Sequence, residues 1–343
     1  METPKYSRLA DDLRADILAG KYTQGERFPS DNELVAGTGY SRQTVRKAVS
    51  TLEGEGFLHR VRGSGTYVSS PAAGRGRTYN IGVVTTYIGE YIFPLILQGI
   101  EEVLRERGYT SMLQATHNRT AEERRILSEF LTNPIDGLIV EGTKTALPNQ
   151  NLDLYETLSR MGIPVVFING YYPGLHRPVY VVADDRGGGL TACNYLLDRG
   201  HSRVAGIFKS DDIQGHRRYE GYARALLDRD LPVDDSRVFW YTTETREVVL
   251  EAAAGVLADR CTAVVCYNDE VALHLAQAMA ARPPRMPRLE MASFDNSTYA
   301  ALSPVPFVSL DSPKAEIGRQ AARRLLERIE RGTGGSVVLP WTL

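Results

Sequence analysis

Cysteine is scarce in this chain. Only Cys193, Cys261 and Cys266 occur among 343 residues, with no C-x-x-C pair. That excludes a disulfide scaffold, and no histidine or further cysteine stands at ligand spacing to complete a zinc site. No apolar run approaches the ~18 residues of a membrane-spanning helix. The opening METPKYSRLADDL has no apolar signal core. A reduced interior and a cytoplasmic location are therefore expected, with no membrane partner. Walker A, H-E-x-x-H and G-x-S-x-G motifs are missing as well. The six histidines do not cluster with an obvious nucleophile. The acidic pairs Asp184/Asp185 and Asp211/Asp212 read as loop and cap residues rather than metal ligands. No catalytic residue, metal or cofactor is expected.

Net charge is small too. Forty Lys+Arg against 42 Asp+Glu leave -2, which as a whole suggests no polyanionic partner. The distribution says otherwise. Residues 41–78 hold seven basic and two acidic residues, whereas residues 79–343 hold 28 and 33. Positive charge gathered in one short segment is what a phosphate-facing surface needs. Length and ordinary globular composition allow about two domains. The small, Gly/Pro-containing and basic stretch 69–78 reads as a linker. The expected division is 1–68, the linker 69–78, and 79–343.

The first part reads as a winged helix-turn-helix of α+β type. Leu9, Ala10, Leu13 and Ile17 share one face of a helix over about 5–19, stopped by Gly20. Ser30 and Glu33 form a capping box for a short second helix, about 31–37. Ser41 caps a third, about 42–53, with Val45, Ala48, Val49 and Leu52 as its buried stripe. The other face presents Arg42, Gln43, Arg46 and Lys47 in the first two turns, where a recognition helix meets base edges. Arg can fork onto guanine and Gln onto adenine. Residues 57–62 and 66–68 flank Gly63-Ser64-Gly65 as a hairpin carrying Arg60 and Arg62. Its glycines permit close backbone approach to a phosphate or a minor groove.

The second part alternates apolar strands with amphipathic helices. Strands are expected at 80–85, 110–114, 135–140, 163–168, 180–182, 204–208, 238–241, 263–266 and 289–294. Helices are expected at 94–107, 121–131, 187–198, 217–227, 248–258, 270–281 and 314–331. Such a pattern implies parallel sheets covered on both faces. About nine strands suit two lobes with a ligand cleft between them.

These motifs carry family resemblances. Pro4-Lys5-Tyr6, F-P-S-D-N-E-L at 28–34, S-R-Q-T-V-R-K-A at 41–48 and R-G-S-G-T-Y-V at 62–68 resemble the GntR-type DNA-binding domain. The resemblance implies DNA contacts at Lys5, Ser41, Arg42, Gln43, Thr44 and Arg46, and at Arg62, Gly63 and Gly65 of the wing. Q-G-I-E at 98–101, L-D-R-G-H at 197–201, R-Y-E-G-Y at 218–222, N-D-E-V-A-L at 268–273 and Phe294-Asp295 resemble the LacI-type effector domain, a type I periplasmic-binding-protein-like fold. Tyr91, Phe93, Asn169, Arg218, Asn268 and Asp295 would then face the cleft, with Glu141 as a further hydroxyl acceptor. The pairing of the two domains, with VVTTYIGEYIFP at 83–94, DGLIVEGTK at 136–144 and GIFKSDDIQG at 206–215, is similar to the arabinose-responsive repressor family. That family implies a homodimeric repressor released from operator DNA by a small sugar, L-arabinose above all. It also implies a final strand and basic tail beyond Trp341-Thr342-Leu343, and often a larger polar side chain at the position of Ser312. Alternatives stay open: another sugar, the opposite coupling sign, or a sugar-binding or sugar-modifying protein without DNA activity.

Overall fold

The computed structural model describes the chain apart from residues 1–3, 19, 24, 55, 62, 70–76, 90 and 281–288. Three helices begin it: α1 (Lys5–Leu18), α2 (Asp31–Thr38) and α3 (Arg42–Gly54). Leu9 and Leu13 of α1 and Val45, Val49 and Leu52 of α3 are buried together with Phe28 and Phe57. The capping box forms as expected. Ser30 Oγ accepts the Glu33 amide at 3.3 Å, and Glu33 Oε2 accepts the Ser30 amide at 2.7 Å. Antiparallel β1 (Leu58–Val61) and β2 (Gly65–Val68) make the wing. Residues 26–28 run beside β2, with the Phe28 amide donating to the Thr66 carbonyl at 2.8 Å.

Two parallel sheets follow, each covered by helices. The first lobe begins with β3 (Asn80–Thr85), α4 (Phe93–Glu106), β4 (Thr110–Ala115), α5 (Thr120–Thr132) and β5 (Gly137–Val140). It continues with α6 (Leu152–Arg160), β6 (Val165–Ile168) and β7 (Val179–Ala183). The second lobe holds α7 (Asp185–Asp198), β8 (Val204–Lys209), α8 (Ile213–Leu227), β9 (Val238–Tyr241) and α9 (Arg246–Arg260). It is completed by β10 (Ala263–Cys266), α10 (Asp269–Ala280), β11 (Glu290–Phe294), α11 (Thr298–Leu302) and β12 (Val308–Leu310). The chain then returns to the first lobe through α12 (Lys314–Arg331) and β13 (Val337–Leu339). Strand order is β13-β7-β6-β5-β3-β4 in one sheet and β12-β11-β10-β8-β9 in the other.

Near its end the chain forms a strand that the sequence reading did not include. There β13 pairs with β7 at the edge of the first sheet. The following Trp341 packs edge-on against Phe294 of the second lobe, ring centroids 5.2 Å apart. The chain therefore crosses between lobes near Asp184, near Ser312 and again near Trp341. Three crossings make a hinge, and they place the carboxyl ends of both sheets across a shared crevice, where ligands of such folds sit.

The helices α4 and α12 cover one face of the first sheet, and glycine makes their contact possible. A Cβ at Gly99 would lie 2.0 Å from the Ala315 carbonyl oxygen, and one at Gly318 would lie 2.0 Å from that of Ile96. Backbone cannot yield as a side chain can, so overpacking here costs about 1–3 kcal/mol or more. Gly318→Ala should lower the urea midpoint of the protein accordingly; an unchanged midpoint would mean that the two helices separate at little cost.

Candidate functional site

Two regions gather the polar side chains singled out by sequence. The first is the outer face of α3. Arg42, Gln43 and Arg46 are exposed, while Val45, Ala48 and Val49 face inward. Ser41 Oγ accepts the Thr44 amide at 3.3 Å and lies 2.9 Å from Thr44 Oγ1. These two hydroxyls thus fix the start of the helix. Lys5 opens α1 and is exposed. Arg46 Nε lies 3.4 Å from an Asp31 oxygen, and Arg60 Nε lies 3.1 Å from one of Glu53. Gly63 and Gly65 shape the wing tip with φ of 81° and 130°, values that L side chains rarely adopt. Arg62 lies outside the described residues.

The second region is a cavity of about 270 Å³ between the lobes. Six of the seven expected cleft residues line it: Tyr91, Phe93, Glu141, Arg218, Asn268 and Asp295. Asn169 does not, which corrects the expectation for it. Its Nδ2 instead donates to Glu141 Oε1 at 2.8 Å, so it orients a cavity residue from behind. The reason is local: Asn169 has φ 60° at the end of β6, and that turn directs its side chain toward β5. The Thr86 amide donates to Glu141 Oε2 at 2.8 Å. Burial pushes the Glu141 carboxyl up, opposed by these bonds from Thr86 and Asn169.

Arg218 forms the inner wall. Its Nε donates to Asp185 Oδ1 at 2.8 Å, and its Nη1 donates to the Tyr267 carbonyl at 2.5 Å. The guanidinium lies over the rings of Phe294, Tyr267 and Trp341, at 4.3, 4.8 and 5.0 Å from their centroids. Burial disfavours its charge, but Asp185 and Asp295 more than offset that and hold its pKa above the usual value. Asp185, buried beside it, has its carboxyl raised to about 6 by burial, against the pull of Arg218. Asn268 has two roles, because its Oδ1 caps α10 by accepting the Val271 amide at 3.0 Å while the residue lines the cavity.

Several cavity residues escaped the sequence reading. Lys209 bonds Asp212 and lies 3.5 Å from Asp211. Arg246 pairs with Glu270 at 2.6 Å. The G-I-F-K-S-D-D-I-Q-G segment held the signal for the first group, since β8 ends at Lys209 and its loop must face the crevice. The second pair is separated by 24 positions, and nothing local announces it.

The lobes also meet directly. Tyr91, at φ 63°, reaches from the first lobe so that its hydroxyl donates to Asp295 and accepts the Asp269 amide at 3.3 Å. Its ring stacks on Tyr299 with centroids 5.4 Å apart. On another side of the cavity Asn118 Nδ2 donates to Thr243 Oγ1 at 2.5 Å, and Lys144 pairs with Glu244 at 2.5 Å. The Ile213 amide donates to Thr145 Oγ1 at 3.0 Å. The lobes are therefore in contact across the crevice, with the cavity flanked by two polar clasps. A compact ligand with several hydroxyls fits such a chamber, where carboxylates accept, guanidinium and amides donate, and aromatic rings meet apolar faces.

Comparison with known proteins finds matches for both parts of the chain. Residues 5–68 match the model for bacterial regulatory proteins of the gntR family, and residues 193–343 match that for a periplasmic binding protein-like domain. The arabinose metabolism transcriptional repressor of Halalkalibacterium halodurans is 38% identical over 96% of this chain and 90% of its own length. That of Geobacillus stearothermophilus is 38% identical over 96% of this chain and 92% of its own. A solved structure of the transcriptional regulator CelR with cellobiose shares the fold. Its TM-score is 0.68 at 24% identity, covering 92% of this chain and 98% of that one.

The clasp contains a titration that can be observed. Asp269 is buried, and its carboxylate accepts from Ser297 and Ser309. Burial raises it to about 6, with Asp295 adding to the shift and the serine bonds opposing it. The unfolded value is near 3.8, so the folded chain holds an extra proton between these values. The resulting stabilisation is complete below about pH 3.8 and is lost as pH rises through about 6. Thermal unfolding followed from pH 4 to pH 7 should therefore show a less negative slope of stability against pH for Asp269→Asn than for the unaltered protein. Parallel curves would contradict the assignment.

Proposed function

The chain belongs to the arabinose metabolism transcriptional repressors, and from that premise we propose how it works. Two copies associate through their two-lobed domains and present their α3 helices to half-sites about one helical turn apart, or a multiple of it. Arg42, Gln43 and Arg46 read base edges in the major groove, with Ser41 and Thr44 at the helix start, while Lys5 contacts phosphate. Arg62, Gly63 and Gly65 carry the wing to the adjacent groove. A small neutral sugar, L-arabinose, binds in the interlobe cavity. Glu141, Asn268 and Asp295 bond its hydroxyls, Arg218 supplies the fork, and Tyr91 and Phe93 flank the ring. The protein acts in the cytoplasm by binding, without turnover of the sugar.

One observation carries this reading. The cavity takes its walls from both lobes, so a sugar touching Glu141 and Asp295 together has full contact only when the lobes are closed. Differential affinity of this kind is what allows a ligand to shift a conformational equilibrium. The closed arrangement then alters the spacing of the two headpieces, and operator affinity falls.

The test is binding to the duplex upstream of the protein's own gene, at fixed salt, with and without arabinose, xylose, ribose and galactose. Arabinose should weaken binding and the other sugars should not. Release by another sugar would replace the effector, and tighter binding with sugar would reverse the coupling. Absence of DNA binding in every condition would overturn the proposal. Arg42→Ala and Arg46→Ala should each cost about 1–3 kcal/mol of operator binding if they read bases. Full operator affinity in both would remove α3 from the major groove.

A further inference from the structure

The wing and α3 leave a notch between them of about 250 Å³. Arg27, Arg42 and Arg60 all line it, with Ser30 and Asn32 beside them. Arg27 stands in the short segment before α2 and bridges to Tyr67 of the wing. Its side chain lies against the wing tip, because a Cβ on Gly65 would fall 3.1 Å from Arg27 Nε and 3.7 Å from Nη2. Residue 65 needs to be glycine for its φ of 130°, and the absence of a Cβ there lets the Arg27 side chain lie close against the wing.

Charge pairing separates the cations of this face. Arg60 is paired with Glu53, and Arg46 with Asp31, itself a wall of the notch. Among the described residues no carboxylate lies within 4 Å of Arg27 or Arg42. The nearby Glu33 carboxylate bonds Ser30 and acts on Arg27 only as a charge at longer range. Two unpaired guanidiniums in one concave surface favour an anion brought from outside.

The geometry of a duplex says which anion. A helix in the major groove and a wing in the neighbouring minor groove have one sugar-phosphate strand running between them. The notch separates α3 from the wing, so that strand must cross it. We propose that Arg27 is a phosphate-contacting residue of the DNA interface, held by Gly65 in position to receive the strand between the two grooves. This rests on the DNA-binding reading above and adds a contact that it does not contain. A phosphate contact fixes register and orientation without reading sequence, so its loss has a distinct signature.

The experiment uses the full-length protein and fluorescence anisotropy with two duplexes of about 30 base pairs. One is the stretch upstream of its own gene and the other is that stretch scrambled. Salt is varied from about 50 to 200 mM. Arg27→Gln should weaken binding to both duplexes by a similar factor, about a hundredfold at the lower salt, as expected for one charge-assisted contact in each of two protomers. The slope of log K against log salt should fall by about 2, one phosphate contact for each protomer of the dimer. Arg27→Lys, which keeps the charge, should keep the slope. Thermal unfolding of both variants should match the unaltered protein, which separates a contact from a support for the wing. An unchanged slope in Arg27→Gln, or a loss confined to the upstream duplex, would overturn the proposal. Unaltered protein that binds neither duplex would overturn the DNA-binding reading, and this contact with it.

Discussion

A buried guanidinium organises the ligand-binding half of this molecule. Arg218 is 2% exposed, and an unpaired charge at that depth would cost several kcal/mol. Its neighbours are therefore dictated. Asp185, at the first crossing between lobes, takes Nε; the Tyr267 carbonyl, just before α10, takes Nη1. Phe294 and Trp341 face it as rings, and Trp341 follows the last crossing. One side chain thus ties together two of the three hinge segments and the ends of two strands. It also leaves Nη2 without a protein acceptor among the described residues, beside the cavity. The same group that stabilises the hinge is available to a ligand, so ligand binding and hinge geometry share a residue.

Closure depends on contacts of a different kind. Asn118, Lys144 and Thr145 bond across the crevice with neutral or surface partners, while Tyr91 bonds the buried Asp295 carboxylate. Neutral hydrogen bonds contribute about 1 kcal/mol each net of water, one to a charged group about 1.5–3 kcal/mol, and exposed ion pairs less. A few such contacts can hold a closed state without making it irreversible. The loop bearing Lys144 and Thr145 is itself held firmly. Buried Glu123 accepts from Tyr155 at 2.7 Å, Tyr172 at 2.6 Å, and Asn149 and Asn151 at 2.8 Å each. Rigid lobes joined by weak clasps are the physical requirement for a two-state response.

Much of this was legible in the sequence because burial writes a strong pattern. Strands covered on both faces are continuous apolar runs, so I-G-V-V at 81–84 and A-V-V-C at 263–266 were readable without a partner in view. The strands β12 and β13 were not, since each has three residues and lies at a sheet edge, where burial demands less. In the cleft, residues at strand ends were found because topology alone aims them there. Asn169 satisfied the same rule and yet turned toward Glu141, which a backbone angle decides and a motif does not show. The pairs Lys209 with Asp212 and Arg246 with Glu270 depend on which loops face each other, and that is a tertiary fact.

The central claim is that sugar and DNA compete through the closure of the lobes. Linkage makes this measurable from the sugar's side, because any coupling must appear in both affinities equally. Calorimetric titration of L-arabinose into the free protein, and into the protein saturated with operator duplex, tests it directly. The account predicts sugar binding at least about fivefold weaker in the complex, matched by the same factor in operator affinity. Equal sugar affinity in the two titrations would contradict it.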